Sequence, residues 1–500
     1  MGQIRISSEN LKIKYFIALS AYLGILSYFG SDLFFRDFAI IYEGTREVSN
    51  GLRQYKDFGL PVGPVTLWIT HFLSVAFGSD WHGLKLTQLL FTTLTGLFCW
   101  FLINESSAPK NYKLASLIIL GIGYLTLLSY PWYNNLAAFF LILTVYLSSR
   151  RACFSSFLAG IIIGITALTK IDFGILSFLS ALAVIAPFSK FPFALQRISS
   201  LCLGLLVVFT FNYNLILSDE FLYWTLNDEL ETADRINKLL RKESIALVAL
   251  ACFFYIHAVL KNKQELLHYS VLNISAAVTL NTSGLDFTSY YSLFTLPLIA
   301  TQLRYKKVFF IFTILLSLKP IHQGLHKVKN TLLKEPTPYY FSLSKVDRKS
   351  GHLNLPKPIN LGECIRSYDD IYGPPDLCKL YSDLEALESE SFLNATEFLE
   401  LNRFTKSLAK PYKPLWLHHN VSTFSREEKE ITQGILSGKF DVIANQAAHG
   451  PHIYHLIQRA IEKSKLYELK ATYFSSKNYT DCPGNEKSCR IHVFLRKTGF

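Results

Sequence analysis

The chain has 500 residues, of which 50% are hydrophobic, 14% aromatic and 18% charged, with a formal net charge of +12. A mean hydropathy of +0.24 argues against a soluble globular protein of this size. Lys and Arg sit in short clusters between apolar runs and form no basic patch with interleaved aromatics, so the positive charge reads as a set of topology determinants, with no nucleic-acid partner.

The expected class is a polytopic α-helical membrane protein, because backbone polar groups in lipid must be satisfied within each helix. Arg5, Lys12 and Lys14 precede an apolar run from Tyr15 to Gly30 that passes straight into SDLFFRD without a small-x-small site. That run is expected to be an uncleaved signal anchor. Spans are expected near residues 12–31, 83–103, 114–130, 135–149, 154–170, 174–188, 198–217, 244–260, 266–283, 288–303 and 307–319.

The apolar stretch 62–78 is short for a span, with Pro64 near its start and His71 in its middle. Basic clusters lie at the N-terminus and at Lys110/Lys113, Arg150/Arg151, Lys190/Arg197, Lys261/Lys263 and Arg304/Lys306/Lys307. If 62–78 does not cross, all of them fall on the cytoplasmic side; if it crosses, the N-terminal cluster is separated from the rest. The positive-inside rule therefore favours a helix lying in or dipping into the outer leaflet. The outcome is eleven spans, a first outer loop at 32–82, a transmembrane domain over 1–324 and an extracytoplasmic domain over 325–500.

Residues 325–500 read as a small α/β domain. Ser425 with Glu428 has the form of a capping box opening a helix to about Ser437. FDVIAN reads as a buried strand and PHIYHLIQRAIEKSK as an amphipathic helix burying Ile453, Leu456, Ile457, Ala460 and Ile461. LKATYFS and RIHVFLRK read as an antiparallel strand pair. Cys99, Cys153, Cys202 and Cys252 lie in or beside spans as small apolar residues. Cys364, Cys378, Cys482 and Cys489 all lie in the region expected outside, which points to disulfides, with 364–378 and 482–489 the simplest pairing and other pairings open. A zinc site on these cysteines is disfavoured by the absence of CxxC spacing.

The charge-dense stretch DFAIIYEGTREVSNGLRQYKDFGLPVGP, Asp37 to Pro64, carries the main functional signal. Asp37, then Arg46, Val48 and Gly51, then QYKDF and a proline-led helix, resembles the first outer loop of the glycosyltransferase C superfamily. The bacterial members similar to protein O-mannosyltransferases and lipid A aminoarabinose transferases look nearest. LAGIIIGITALTK, ending at Lys170, is similar to that family's glycine-bearing span, and DFTSYYSLFTLPLIA to its late helix. The likeness covers about residues 12–320.

The resemblance implies transfer of a sugar from a polyprenyl-phosphate carrier to a lipid, glycan or protein acceptor on the outer face of a membrane, by default a bacterial inner membrane. It implies an acidic residue, here Asp37, acting as base or orienting a divalent metal ion. Phe38 stands where many members have glutamate, and Asn135 in YPWYNN stands where the aminoarabinose transferases carry a second aspartate. A single carboxylate is carried over, so metal use stays open.

Glycosyl transfer passes through an oxocarbenium-like transition state, so a carboxylate near the anomeric carbon both takes the hydroxyl proton and stabilises positive charge. The phosphate leaving group needs cations, and Arg46 and Lys170 are the candidates. Asp57, Tyr133, Asn135, Tyr290 and Tyr291 complete the candidate binding set. Each has a plainer reading. Asp37 as an N-cap, Arg46 paired with Glu43, Lys170 snorkelling to headgroups, Asp57 forming a turn, and the tyrosines in an aromatic belt all account for the same residues. The competing function is a transporter or flippase for a lipid-linked or polar solute. It would predict mid-span charges or paired helix breaks, whereas the polar density here lies in one outer loop.

Overall fold

A computed structural model describes residues 36–77, 80–127, 133–187, 189–226, 242–282, 286–303, 306–333, 391–396, 422–446, 451–474 and 490–497, with isolated positions between 380 and 419. The expected signal anchor and the four C-terminal cysteines lie outside the described residues.

The first part is helical: α1 (Arg36–Ser49), α2 (Val65–Phe77), α3 (Asp80–Glu105), α4 (Lys110–Gly123), α5 (Tyr133–Ser149), α6 (Cys153–Thr169), α7 (Ile171–Ile185), α8 (Phe191–Phe211), α9 (Asp219–Leu226), α10 (Lys242–Leu260), α11 (Gln264–Thr282), α12 (Leu296–Thr301) and α13 (Lys306–Leu333). Within the described residues, three stretches are long and apolar enough to cross a membrane: Gly83–Glu105, Phe191–Phe211 and Lys306–His326. Shorter apolar helices include α2, α5, α6 and α7. At 17 residues, α5 and α6 are each about 25 Å long, somewhat less than a typical bilayer core.

Two expected spans take a different form. The stretch expected at 288–303 is a 3-10 helix over Asp286–Thr295 followed by the short α12, with Pro297 in its first turn. The span expected at 307–319 runs on through Pro320 to Leu333, across the expected domain boundary at 324.

Many hydroxyl groups inside these helices are satisfied by the carbonyl one turn back. Thr70 donates to Thr66 O, Ser74 to Thr70 O, and Thr166 and Thr169 to the carbonyls of Ile162 and Ile165. Packing between α6 and α8 depends on small residues. A Cβ on Gly160 would lie 1.9 Å from Leu201 O, and one on Gly204 would lie 2.0 Å from Phe157 O. In lipid, where burial of apolar surface gives little drive, such close approach is how helices associate. The glycines of LAGIIIG thus have a packing role that accounts for their spacing.

The helix ends carrying the basic clusters meet at one end of the bundle. Arg150 pairs with Glu105, and Arg197 donates to Ser148 O and Arg150 O. Gln264 reaches Ser149 O, Lys263 reaches Gln302 O, and Glu265 accepts from Ser107. The opposite end of α6 carries Lys170.

The C-terminal part is a four-stranded sheet of order β1-β2-β4-β3: β1 (Phe392–Ala395), β2 (Val442–Gln446), β3 (Tyr467–Phe474) and β4 (Arg490–Arg496). β1 and β2 are parallel; β4 is antiparallel to both β2 and β3. Period-two alternation splits β2: Val442 and Ala444 face one core with Phe392 and Ile491, and Ile443 faces the other. That second core is closed by α14 (Ser425–Leu436), through Ile431 and Ile435, and by α15 (Pro451–Ser464), through Ile453, Ile457 and Ile461.

The expected Ser425–Glu428 capping box is shifted by one residue. Phe424 is the N-cap, and the Glu427 carboxylate accepts from its N–H at 3.0 Å. Phe424 is fully buried, so packing fixes the cap position, and Glu428 is turned to other partners.

A candidate active site at the loop end of the bundle

α1 presents a charged face to the protein interior. Arg46 lies 2.8 Å from Glu43 and 3.4 Å from Glu47, and Glu43 is only 1% exposed. A buried carboxylate without a counter-charge would cost several kcal/mol, so this pairing secures the helix. The plainer reading of Arg46 is realised here. The helix ends at Gly51, where φ is +82° and the Leu52 N–H reaches back to Glu47 O, a Schellman closure. The backbone of Asp37 begins α1, and its side chain lies outside the described residues.

The loop after α1 is closed by its own side chains. The Asp57 carboxylate accepts from the Arg53 N–H at 2.7 Å, which gives it a turn-forming role. Gln54 and Tyr55 both donate to Val62 O, at 2.6 and 2.5 Å. Burial pushes the Tyr55 phenol far above its ordinary value, so it remains a donor, although its backbone has a φ of 69°. His71 of α2 meets Ser49 at 2.9 Å, as a satisfied polar residue would. α2 packs Val65, Leu67 and Thr70 inward and leaves Phe72, Val75 and Phe77 exposed.

This loop is seated on the end of α6. The Gly63 N–H donates to Thr169 O at 3.1 Å, and a Cβ at Gly63 would fall 1.8 Å from Leu168 O. Lys170 follows at once, in extended conformation between α6 and α7. Its Nζ lies 3.3 Å from Asp172 Oδ2, 5.6 Å from the Tyr133 ring and 5.2 Å from the Phe173 ring. The ammonium is thus held among the Asp172 carboxylate and two aromatic rings. Asn135 is buried beside Asn134 at the start of α5.

Two clefts open here. One, about 470 Å³, lies between the loop and the end of α8, with Arg53, Gln54, Asn212 and Asn214 among its polar lining and Trp68 and Leu215 among its apolar lining. The other, about 320 Å³ and almost wholly apolar, runs between α6, α7 and α8. Leu168 and Ile171, which flank Lys170 in the chain, line it together with Phe178, Phe209 and Phe221.

The C-terminal part closes over this loop end. Trp224 of α9 packs so tightly on Gly59 that a Cβ there would lie 2.1 Å from the indole. Phe424 packs on Trp224 and Tyr223, and the Tyr223 hydroxyl donates to Glu427 at 2.7 Å. Arg426 makes two 3.0 Å hydrogen bonds to Glu220 and lies 3.7 Å from the centre of the Tyr223 ring. Burial works against the Arg426 charge, but the bonds to Glu220 and Glu427 outweigh it and raise its pKa. The pair is about one third exposed, so solvent screening limits its worth; Arg426→Met is expected to weaken docking by about 1 kcal/mol. Hydrogen exchange at 219–226 and 424–428 reads this: faster exchange in the variant is the expected result, and unchanged exchange would mean Arg426 does not hold the two parts together.

Tyr133, Lys170 and the loop bearing Asp57 are thus gathered at one end. Tyr291 is fully buried in the helical core with Tyr124 and Phe294, away from any aromatic belt, and Tyr290 packs partly buried against the same cluster. Asp228, Glu229 and Arg235, in a charged stretch whose sequence suits either a cover over the acceptor side or a solvated amphipathic helix, lie outside the described residues. Sequence reasoning missed Asp172, whose signal was its place two residues after Lys170. It also missed Lys85, which is 2% exposed within α3. The docking residues Glu220, Tyr223 and Arg426 gave no sequence signal, since their partners are some 204 to 206 residues away.

Comparison with solved structures finds the Archaeoglobus fulgidus oligosaccharyltransferase. One match is to the form tethered through a disulfide bond to an acceptor peptide containing the NVT sequon, with 10% identity over 93% of this chain and 73% of that chain and a TM-score of 0.47. Another is to its complex with Zn and sulfate, with 10% identity over 92% of this chain and 72% of that chain and a TM-score of 0.46. No protein-family model matches the chain, and no curated protein sequence matches it.

Proposed function

We propose that the chain is a membrane glycosyltransferase of the glycosyltransferase C type, passing a sugar from a polyprenyl-phosphate carrier to a lipid, glycan or protein acceptor. The observation that carries this reading is the seating of Gly63 on Thr169. It joins the loop leaving α1 to Lys170 and to the mouth of the apolar cleft between α6, α7 and α8. An isoprenoid chain suits such a lining, and the phosphate it carries suits the neighbouring ammonium. The resemblance of Asp37 and its neighbours to the superfamily's first outer loop supplies the base.

In this reading the acceptor hydroxyl oxygen attacks the anomeric carbon as the carbon–oxygen bond to phosphate breaks. The phosphate leaves with the electron pair, and the hydroxyl proton passes to Asp37. A single displacement inverts the anomeric centre. Lys170 meets the phosphate, while Arg46 stays paired with Glu43 and Glu47 and fixes α1. Tyr133 and Asn135 flank the sugar, Asp57 shapes the loop, and Tyr290 and Tyr291 support the bundle behind it. The described carboxylates do not make a divalent-metal set at this end: Glu43 and Glu47 are engaged by Arg46, Asp172 by Lys170, and position 135 is an amide.

The gathering of basic helix ends opposite the loop supports a cytoplasmic basic end and an extracytoplasmic loop, with the C-terminal part covering it and α2 resting its exposed aromatics in the outer leaflet. The test is the purified protein in liposomes containing a polyprenyl-phosphate sugar and an acceptor pool. Release of polyprenyl phosphate is the expected result. Movement of intact donor between leaflets without release would overturn the enzyme reading in favour of a flippase.

A further inference from the structure

We propose that His419, Glu428 and His452 form a binding site for a divalent cation of the zinc class, separate from and independent of the glycosyl-transfer reading. The ligand atoms of the three side chains lie within 4.8 Å of one another. His419 Nδ1 stands 2.6 Å from Glu428 Oε1, and His452 Nε2 stands 3.1 Å from the same oxygen. The two imidazole rings stack with centroids 3.8 Å apart and planes 23° apart, both turning a nitrogen toward one carboxylate. Two imidazolium rings at that separation would repel each other. One divalent ion among two imidazole lone pairs and a carboxylate satisfies all three groups at once.

Two imidazoles and one carboxylate are a donor set of intermediate softness, which suits zinc better than calcium or magnesium, whose preferred ligands are oxygens. Zinc–nitrogen and zinc–oxygen bonds of about 2.0–2.2 Å put neighbouring ligands roughly 3.3 Å apart in a tetrahedron. The observed nitrogen–oxygen spacings of 2.6 and 3.1 Å are shorter than that, so the side chains must part by some tenths of an ångström to admit the ion. His452 is the most exposed of the three, at 44% of its side chain, and leaves the fourth position open to water. No chain motif announces the set, because the three residues come from three segments: the stretch before Phe424, the first turn of α14, and the first turn of α15.

Its position gives it a consequence. Glu428 follows directly on Arg426 and Glu427, which hold α9, and its N–H bonds to Phe424 O at 2.9 Å. A cation on Glu428 ties α15 and His419 to the turn that docks on the loop end of the bundle. Metal occupancy then governs how firmly the C-terminal part is held there.

The test uses the full chain purified without a histidine tag, loaded with Zn²⁺ alone and dialysed. About one zinc per chain is expected, dropping at least roughly tenfold in the His419→Gln/His452→Gln double variant. Far-ultraviolet circular dichroism checks that the variant is folded. Zinc K-edge absorption on the unmodified protein gives an independent reading: two imidazoles and oxygen in the first shell support the site. Sulfur in that shell would assign the ion to cysteines, and equal zinc in the unmodified and doubly substituted proteins would equally overturn the proposal. If the variant does not fold, the absorption spectrum decides alone.

Discussion

Asp37→Asn is expected to yield a folded protein that releases polyprenyl phosphate about 10²–10⁴-fold more slowly, the usual worth of a positioned general base. The amide is nearly isosteric and can still accept a hydrogen bond, so α1 and its Glu43–Arg46–Glu47 ion pairs should be preserved. What is lost is the proton acceptor and the negative charge facing the oxocarbenium-like transition state. The reading on kinetics is specific: kcat falls, and donor binding measured by co-purified lipid changes little. Wild-type rates in this variant would remove Asp37 from the chemistry.

Gly63→Ala should have the second largest effect, and by a different route. Its new methyl carbon would fall 1.8 Å from Leu168 O and 2.4 Å from Leu168 C, both backbone atoms of α6 that cannot swing aside. Either the Gly63–Thr169 hydrogen bond breaks or the end of α6 shifts, at a cost of about 1–3 kcal/mol. Because Lys170 is the next residue, displacement of the loop should lower activity as well as the midpoint of thermal unfolding in detergent. Gly51→Ala is the useful contrast. It meets nothing within 4 Å, though its φ of +82° is strained for alanine, so it should cost stability without disturbing Lys170. An unchanged midpoint and rate for Gly63→Ala would mean that the loop does not rest on α6.

Most helices were legible because their cause is local. Apolar runs near α3, α5, α6, α7, α8, α10 and α11 have the length and composition to form helices whatever packs on them. The late stretch 286–301 was not, because Pro297 and the Tyr290–Tyr291 pair are compatible with a span by hydropathy, and only packing on the buried Tyr124 cluster selects a 3-10 turn. β2 was readable as a short apolar run, β3 and β4 as a strand pair and α15 from its period, whereas β1 is four residues long and too short to signal itself. At the candidate site, Lys170 and Tyr133 were each visible as residues, but not that they meet. The pairing of Arg426 with Glu220, and the convergence of His419 with His452, depend on tertiary placement that no spacing rule encodes.

The Trp224–Gly59 contact and the Arg426–Glu220 pair carry a consequence for biosynthesis. Residue 59 leaves the ribosome long before residue 426 exists, and about 200 residues separate Glu220 from its partner. At translation rates of roughly 5–20 residues per second, the nascent bundle waits on the order of ten seconds or more with its loop end uncovered. During that interval the faces of Tyr223 and Trp224 that Phe424 later covers have no partner from the last part of the chain.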